Sequence, residues 1–450
     1  MSRRVVISGL GPISGLGIGI EQTWDAAIAG RSAVDVISAF DASGFACRVA
    51  AEVGDFKVNQ FVPKSYRKAT KVMARDIALA VAAADRAVRD AKLATSGTAT
   101  EDEPRSYDGP RMGCHIGAGL IAADLDELTG ALATSRNGDG GAFDMQHWGR
   151  EGMKNLYPLW LLKYLPNMLA CHVTIIHDTQ GPSNTITCGD TSATLSIGES
   201  LRVIQRGDAD VCFCGGVDSK VNPMAFLRQW LAKRLTSQGN DAPGASVRPF
   251  SRTASGTALG EGGGILVLEA FETFQHRAAQ CDGLEPYAEL IGFGASQTLH
   301  PESRNLLPDP DGEGIALAIE AALRDAGIEP AQVDLIIPFG MALPQCDQAE
   351  VNALRTLFGA HLSDVPLAPV KSIAGNCCAG AGALDACIAA AALKEQCVPA
   401  VVNCDDPIEG VMAASAPARP AKIDYALLVG TGMGGQNAAL VLKRFIDEAS

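Results

Sequence analysis

Apolar and polar positions follow one another along the chain in patterns that predict strands and helices. Residues 3–9 (RRVVISG) hold an apolar run closed by glycine, which predicts a buried strand. From residue 66 to residue 93 apolar side chains recur at helical spacing, which predicts one amphipathic helix. Residues 95–110 are polar and acidic and predict a loop, and residues 112–120 (MGCHIGAGL) predict a second buried strand that runs into a glycine turn.

One order of elements occurs in both halves of the chain. In the first half, an extended stretch at residues 180–187 precedes a helix at 190–207 and a buried strand at 208–218. Small residues on that helix, such as Ser196 and Gly198, allow another element to pack closely against it. The second half repeats the order with an extended stretch and turn, an Ala/Gly-rich helix and two strands around a glycine turn, at residues 369–378, 379–396 and 425–445. This repetition predicts an internal duplication packed in α/β/α/β/α layers.

Composition and charge favour a soluble protein with a large core. The chain has 450 residues, of which 47% are apolar and 20% charged, and a net charge of −14 argues against nucleic acid as the main partner. The sequence contains no uninterrupted run of about 20 apolar residues, so it predicts no membrane span. The N-terminal apolar run is interrupted by Gly9, Gly11 and Pro12 and lacks a signal-peptide cleavage site, so we expect a cytoplasmic protein.

Thirteen cysteines are scattered along the chain without the spacing of a zinc site. They are predicted to be small buried hydrophobic residues in a reducing compartment, and Cys212 and Cys214 share one face of a predicted strand. The loop GLGPISGLGIG at residues 9–19 is only superficially similar to a dinucleotide-binding loop, because Pro12 interrupts it and no acidic residue follows a second strand. The sequence therefore predicts neither a metal nor a cofactor.

Several longer motifs are similar to those of one enzyme family. They are VVISGLGPISGLGIGIEQTWDAAIAGRSAV, YLPNMLACHVTIIHDTQGPSNTIT, RGDADVCFCGGVDS, VRPFSRTASGTALGEGGGILVLE, PVKSIAGNCCAGAGALDA and GTGMGGQN. Together they resemble the β-ketoacyl-acyl-carrier-protein synthases nearly end to end. The resemblance implies the thiolase-like five-layered α/β/α/β/α fold built from two duplicated halves. Residues 1–271 would carry the nucleophile position, and residues 272–450 the two histidine positions.

The three reactive positions of the family are replaced in this sequence. The family uses a cysteine at a helix N-terminus to accept an acyl chain and two histidines to assist malonyl decarboxylation. Alignment on the flanking GPS and SIG residues places Asp190 at the cysteine position, and Phe339 and Asn376 fall at the histidine positions. Lys371 and Glu261, which are supporting residues in the family, are retained, and the resemblance implies that they form a structural pair.

The replacements predict a chain that is inactive in condensation on its own. A carboxylate is a poor acyl acceptor, phenylalanine cannot transfer a proton, and an amide hydrogen-bonds without titrating. Asp190 is instead expected to cap the free N–H groups of its helix, and a direct part in chemistry is the alternative. A relocated nucleophile is a further alternative, with candidates at Cys188 and Cys377 and with His172 and His300 as possible bases.

The resemblance also implies positions for an acyl gate and for carrier docking. Met433 stands where the family has a gating phenylalanine, and Thr431 and Gly434 flank it in the predicted substrate pocket. Positive charges gather at two places in this acidic chain, which suit the docking of an acidic acyl carrier protein: Lys64, Arg67, Lys68 and Lys71, and then Lys233 and Arg234. A solvated helix start explains the first group equally well.

The combined features resemble the chain length factors of type II polyketide systems, although those typically carry glutamine at the cysteine position. We therefore expect a non-catalytic subunit that pairs with an active ketosynthase paralogue in fatty-acid-like or polyketide-like assembly. A homodimeric acyl- or carrier-binding protein and an acyl-thioester enzyme with rewired chemistry are the alternatives. The apolar segment at residues 161–187 is expected to form the subunit interface.

Overall fold

The computed structural model describes residues 3–54, 56–100, 102–138, 140–303 and 306–446. Its strands are β1 (Val5–Ser14), β2 (Gly17–Ile18), β3 (Val34–Val36), β4 (Val49–Ala51), β5 (Met112–Ala118), β6 (Ser183–Ile186), β7 (Val211–Ser219), β8 (Leu259–Ala270), β9 (Ala288–Gln297), β10 (Leu335–Ile337), β11 (Cys397–Val398), β12 (Arg419–Pro420), β13 (Tyr425–Thr431) and β14 (Gln436–Arg444). Its helices are α1 (Ile20–Ala29), α2 (Arg75–Asp90), α3 (Leu125–Thr134), α4 (Met145–Arg150), α5 (Trp160–Lys163), α6 (Met168–His177), α7 (Ser192–Gln205), α8 (Pro223–Leu231), α9 (Phe271–Ala278), α10 (Glu313–Ala326), α11 (Pro344–Phe358), α12 (Lys371–Ala374) and α13 (Ala381–Glu395).

The main sheet has the strand order β10-β13-β14-β9-β1-β8-β7-β5-β6 and divides into two parts. A short antiparallel contact between β1 and β9 joins the parts, with Val6 opposite Glu289 and Ile7 opposite Ala288. Helices α7 and α13 contact strands of both parts and also each other, whereas α2 and α6 cover the first part and α10 covers the second. The predicted α/β/α/β/α layering is therefore confirmed. The division of the chain between residues 271 and 272 stays a prediction.

The central helices pack closely because their contact residues are small. A Cβ atom on Gly382 of α13 would lie 2.1 Å from Oγ1 of Thr194 on α7, and one on Gly198 would lie 2.4 Å from the Phe293 ring. Ser196 accepts a hydrogen bond from the Gly215 N–H at 3.2 Å, which joins α7 to β7. The close packing that the sequence predicts for α7 is present.

The glycine-rich N-terminal segment serves strand packing. Strand β1 continues through Pro12 to Ser14, well beyond the predicted end at residue 9. A Cβ on Gly9 would lie 2.4 Å from the Ala87 carbonyl oxygen of α2, and one on Gly11 would lie 2.0 Å from that of Ala83. Both glycines therefore let α2 pack directly on the strand, which explains the pattern without a nucleotide.

Two local predictions differ from the structure. The helix predicted from residue 66 to residue 93 is confirmed only over α2, Arg75–Asp90; before α2 the chain forms two 3-10 turns, Lys64–Tyr66 and Ala69–Val72. Met73 has extended backbone, so the apolar pattern runs through a break in the helix. The stretch predicted to be extended at 369–378 contains the short helix α12. Tertiary contacts outweigh local periodicity in both places.

All thirteen cysteines are free, and Cys212 and Cys214 are buried in the core between the layers. In the part of the chain that the structure describes, no helix is long and apolar enough to cross a membrane.

Candidate functional site

Asp190 lies at the start of a central helix, immediately after the edge strand of the sheet. It belongs to the 3-10 turn Gly189–Thr191, which joins the end of β6 to α7. Gly189 has a φ of 59°, a left-handed conformation that glycine adopts without strain. The turn places the Asp190 side chain in the interior, with only 2% of its surface exposed.

The Asp190 carboxylate is held by a cation and an amide. Arg234 Nη2 donates to Asp190 Oδ2 at 2.8 Å, and Asn376 Nδ2 donates to Asp190 Oδ1 at 3.0 Å. The carboxylate makes no capping bond at the N-terminus of α7, so the predicted capping role is wrong. The cost of burying an unpaired carboxylate exceeds the gain from capping a helix N-terminus. The Asp190 carboxylate therefore pairs with a cation instead of with backbone N–H groups.

Arg234 is equally buried, with 6% of its side chain exposed. Its Nη1 donates to Gln229 Oε1 at 3.0 Å. Burial, the largest single effect, lowers the pKa of Arg234, but its interactions with neighbouring groups, of which Asp190 is the strongest, together leave the pKa above its usual value. The sequence prediction that Arg234 docks a carrier is therefore wrong, since its guanidinium faces the interior.

Asn376 is oriented by bonds on both sides of its amide. Its Oδ1 accepts a hydrogen bond from the Cys378 N–H at 3.0 Å, which turns Nδ2 toward Asp190. The backbone of Asn376 pairs with the start of β8, donating to the Ala258 carbonyl at 2.8 Å and accepting from the Gly260 N–H at 2.9 Å. The side chain is fixed as a hydrogen-bond donor to Asp190.

Phe339 lies in a turn that the buried Glu350 carboxylate holds in place. Glu350 accepts from the N–H groups of Phe339 and Gly340 at 2.7 and 2.9 Å, and burial raises the pKa of Glu350 to about 7. Lys371 Nζ lies 4.2 Å from the centroid of the Phe339 ring, a cation–π contact, and 3.5 Å from Asp385 Oδ2. The retained lysine therefore faces a phenyl ring beside the site.

The predicted pair of Lys371 with Glu261 is wrong. Glu261 accepts from Arg75 Nη2 at 2.9 Å, from Ser219 Oγ at 2.6 Å and from the Val53 N–H at 3.1 Å. Lys371 pairs with Asp385. Both retained residues are buried and paired, but each has its own partner.

A second buried charge cluster lies beside the loop that carries Asn376. Asp218 Oδ2 accepts from the Ala379 N–H at 3.1 Å, Lys220 Nζ bonds Asp218 Oδ1, and Asp76 Oδ1 accepts from the Ser219 N–H at 3.0 Å. Burial raises the pKa of Asp76; Lys220 opposes this effect and the adjacent Asp218 adds to it. Sequence reasoning missed this cluster.

The Asp76 carboxyl makes stability depend on pH with a defined sign. In the folded protein Asp76 keeps its proton above its ordinary pKa, so the folded state binds more protons than the unfolded state and loses stability as pH rises. Asp76→Asn imitates the protonated carboxyl. We expect the stability of the variant relative to that of the wild type to rise by about 1 to 3 kcal/mol between pH 4 and pH 8.5, as measured by urea unfolding. An equal difference in unfolding free energy between variant and wild type at both pH values would contradict a raised pKa of Asp76.

Met433, at the predicted gate position, lines a very small cavity. A volume of about 20 Å³ is lined by residues that include Arg234, Phe339, Met341, Thr431 and Met433. This space is about the size needed for one water molecule. Thr431 is buried and donates to Asn437 Oδ1 at 2.7 Å, and Gly434 has a φ of 97° in the turn that follows Met433.

The candidate nucleophiles differ in burial, and each candidate base bonds a hydroxyl group. Cys377 is buried, its Sγ contacts the Glu261 carbonyl oxygen at 3.5 Å, and burial raises its pKa to about 12. Cys188 is half-buried two residues before Asp190. His172 Nδ1 is hydrogen-bonded to the Tyr66 hydroxyl at 2.7 Å, and His300 Nδ1 to Ser303 Oγ at 2.9 Å. Among the described residues, no group of three or more His, Cys, Asp or Glu side chains could hold a metal ion.

The remaining basic residues predicted to dock a carrier are exposed. They are Lys64, Arg67, Lys68, Lys71 and Lys233. The 3-10 turn Ala69–Val72, which carries Lys71, contacts α5, so this end of the basic segment borders the apolar surface described next.

Exposed apolar side chains are concentrated between residues 120 and 175, and we refer to this set as the apolar surface. It holds more than half of the large apolar side chains that are exposed in the described residues: Leu120, Leu125, Leu132, Phe143, Met145, Met153, Tyr157, Leu159, Leu161, Leu162 and Ile175. It includes only part of the predicted segment 161–187 and extends well before it. In this chain β6 is the edge strand of the sheet, and its residues are exposed or half-buried.

Comparisons with known proteins place these features in a family. The model of the β-ketoacyl synthase N-terminal domain matches residues 2–273, and that of the C-terminal domain matches residues 287–405. The layered fold is the thiolase-like ketosynthase fold, and the chain belongs to the β-ketoacyl synthase family.

Relatives match over nearly the whole length of the chain. The 3-oxoacyl-[acyl-carrier-protein] synthase 2 of Coxiella burnetii is 34% identical over 99% of both chains, and that of Vibrio harveyi is 32% identical over the same shares. Among solved structures, the ishigamide ketosynthase/chain length factor is similar with a TM-score of 0.82 and 27% identity, covering 99% of this chain and 100% of that one. A β-ketoacyl synthase from Burkholderia phymatum STM815 has a TM-score of 0.83 at 24% identity with the same coverage.

Proposed function

We propose that this chain is a non-catalytic ketosynthase-family subunit that pairs with an active ketosynthase in fatty-acid-like or polyketide-like assembly. The observation that supports this proposal is the buried contact of Asp190 with Arg234 and Asn376 at the start of the central helix. Condensation needs a thiolate there and two groups that assist decarboxylation. A carboxylate neutralised by arginine, an amide and a phenyl ring supply neither.

The proposal assigns Asp190 to the nucleophile position and Phe339 and Asn376 to the two histidine positions. Their clustering supports this assignment: Asn376 contacts Asp190 directly, and Phe339 lines the same small cavity as Arg234, which holds Asp190. The similarity to a structure titled ketosynthase/chain length factor is consistent with a role beside a catalytic subunit.

A second candidate function is an active condensing enzyme. It is favoured by the 34% identity to a protein named 3-oxoacyl-[acyl-carrier-protein] synthase 2 over almost the whole chain. It would require a nucleophile other than Asp190. The buried Cys377 does not suit that role, because its thiol stays protonated at neutral pH.

Incubation with an acyl-carrier or acyl-CoA donor distinguishes the two functions. We expect intact-mass measurement to detect no stable acyl adduct on the isolated chain, and product analysis with malonyl carrier to detect no condensation. An intact ketosynthase, assayed in parallel, is the positive control. An adduct mapped to Cys188 or Cys377 would overturn the proposal and favour an acyl-thioester enzyme with rewired chemistry.

We further propose that the apolar surface between residues 120 and 175, together with the edge of β6, contacts a second subunit. Exposed leucine, methionine and phenylalanine side chains and an unpaired strand edge are hazards for a free monomer. A homodimer would cover the surface but would pair two sites that lack a nucleophile. A heterodimer would place this chain beside a catalytically active ketosynthase subunit. The exposed basic segment at residues 64–71 is proposed to dock an acyl carrier protein.

Light scattering tests the subunit interface. The wild type is expected to be a dimer, with an interface of about 2,000 Å² or more, as in obligate assemblies. Leu161→Asp/Ile175→Asp places two charges on the surface and is expected to yield monomers. Leu317→Asp, which alters an exposed leucine on α10, is the matched control and is expected to stay dimeric. A wild-type monomer would contradict the proposal.

Co-expression with the cognate ketosynthase distinguishes the kinds of dimer. We expect a mixed dimer. Failure to form one, with no change in the products of that ketosynthase, would favour a homodimeric acyl- or carrier-binding protein.

A further inference from the structure

The space beside Asp190 is filled by the protein's own side chains. The Arg234 guanidinium bridges Gln229 and Asp190: its Nη1 lies 3.0 Å from Gln229 Oε1, and its Nη2 lies 2.8 Å from Asp190 Oδ2. Met341 Sδ lies 3.5 Å from both Arg234 Nη2 and Asn376 Nδ2. The neighbouring cavity, which Arg234 and Met341 line, has a volume of about 20 Å³.

That remaining volume is too small for an acyl thioester. Pockets that bind small organic ligands occupy roughly 300 to 1,000 Å³. Arg234 also lines the cavity, so its long side chain is one of the groups that limits it. The cavity is too small for an alkyl chain. Its wall also carries the guanidinium charge of Arg234, and an alkyl chain offers that charge neither a counter-charge nor a hydrogen bond.

We propose that Arg234 is the residue that excludes acyl thioesters from this subunit, by neutralising Asp190 and filling the space next to it. The inference rests on the proposed function, since exclusion matters only where the acyl chain belongs to a partner. According to this inference, the site lacks a nucleophile and is also closed to acyl thioesters. A subunit that merely lacked its nucleophile would still compete for acyl groups, whereas a closed one would leave them to the partner.

The test uses two pairs of substitutions in the full chain that differ in the room they leave. Asp190→Asn/Arg234→Gln removes both charges but keeps most of the volume and the hydrogen-bonding groups. Asp190→Ala/Arg234→Ala removes the charges and also opens the space. The probe is S-octyl-pantetheine, a thioether that cannot be hydrolysed or transferred, and its binding is measured by calorimetry. Circular dichroism and light scattering verify that each variant is folded and has the wild-type assembly.

We expect no binding to the wild type or to the Asn/Gln variant at about 1 mM probe, and a dissociation constant at least tenfold lower for the Ala/Ala variant. Binding of the probe to the wild type, or equal binding to both variants, would overturn the inference. So would a folded Ala/Ala variant that does not bind. If that variant does not fold, Asp190→Asn/Arg234→Ala replaces it, because Asn at position 190 can still accept from Asn376. A purely structural role of Arg234 would change stability without creating probe binding.

Failure of the proposed function is detected separately. Condensation by the wild-type chain would overturn the proposed function whatever the calorimetry shows. A silent wild type that binds the probe would leave the proposed function standing and overturn only the role of Arg234.

Discussion

Asp190→Ala is expected to lower the free energy of unfolding by about 3 to 5 kcal/mol, the range typical of a buried ion pair that loses one partner. The substitution leaves the Arg234 guanidinium buried opposite a methyl group and removes the acceptor of the Asn376 amide. Urea unfolding followed by circular dichroism measures the loss, at one protein concentration because assembly contributes to stability.

Two further variants identify the cause of that loss. Asp190→Ala/Arg234→Met removes both charges while filling the space, and is expected to recover most of the stability. Glu320→Ala breaks the exposed pair with Arg324 on α10 and is expected to change stability by less than about 1 kcal/mol. A loss below about 1 kcal/mol for Asp190→Ala would show that Arg234 does not depend on this carboxylate.

Asp190→Cys is expected to leave condensation undetectable. General acid–base assistance typically contributes about 10² to 10⁴ in rate. Under the proposed assignment of Phe339 and Asn376 to the two histidine positions, the variant should remain at least about 10⁴-fold slower than an intact ketosynthase. Arg234 would also still fill the space beside the new thiol. Product formation from acyl and malonyl carriers measures the rate.

A matched pair of variants separates acylation from condensation. Asp190→Cys/Arg234→Ala is expected to form an acyl adduct by intact mass while still failing to condense, because the thiol becomes accessible but decarboxylation stays unassisted. Condensation by either variant at an ordinary rate would show that positions 339 and 376 are not the assisting positions.

The layered fold could be predicted because its signals are local and repeated. Buried strands such as β7 and small-residue helices such as α7 and α13 follow from patterns within about 20 residues. The break before α2 could not be predicted, because the apolar positions from residue 66 onward keep helical spacing across the extended residue Met73. The Tyr66 hydroxyl contacts His172 on α6, and a contact so distant in sequence leaves no periodic signal.

The residues of the proposed site could be selected from the sequence, but their pairings could not. The motifs indicate Asp190, Phe339 and Asn376, and the structure places them around one buried region. The partners of Asp190 and Lys371 are Arg234 and Asp385, which depend on how separate loops meet. One signal in the sequence could have indicated the partner of Asp190. A carboxylate at a buried position requires a cation, and Arg234, 44 residues further along the chain, could have been considered for that role.

The ion pair of Asp190 and Arg234 also bears on how such a chain could change in evolution. Replacing Asp190 alone by an uncharged residue would leave a buried cation, and replacing Arg234 alone would leave a buried anion. Either substitution by itself is therefore expected to lose stability. Only a simultaneous change at both positions avoids that loss, so the two residues are expected to be kept or exchanged together.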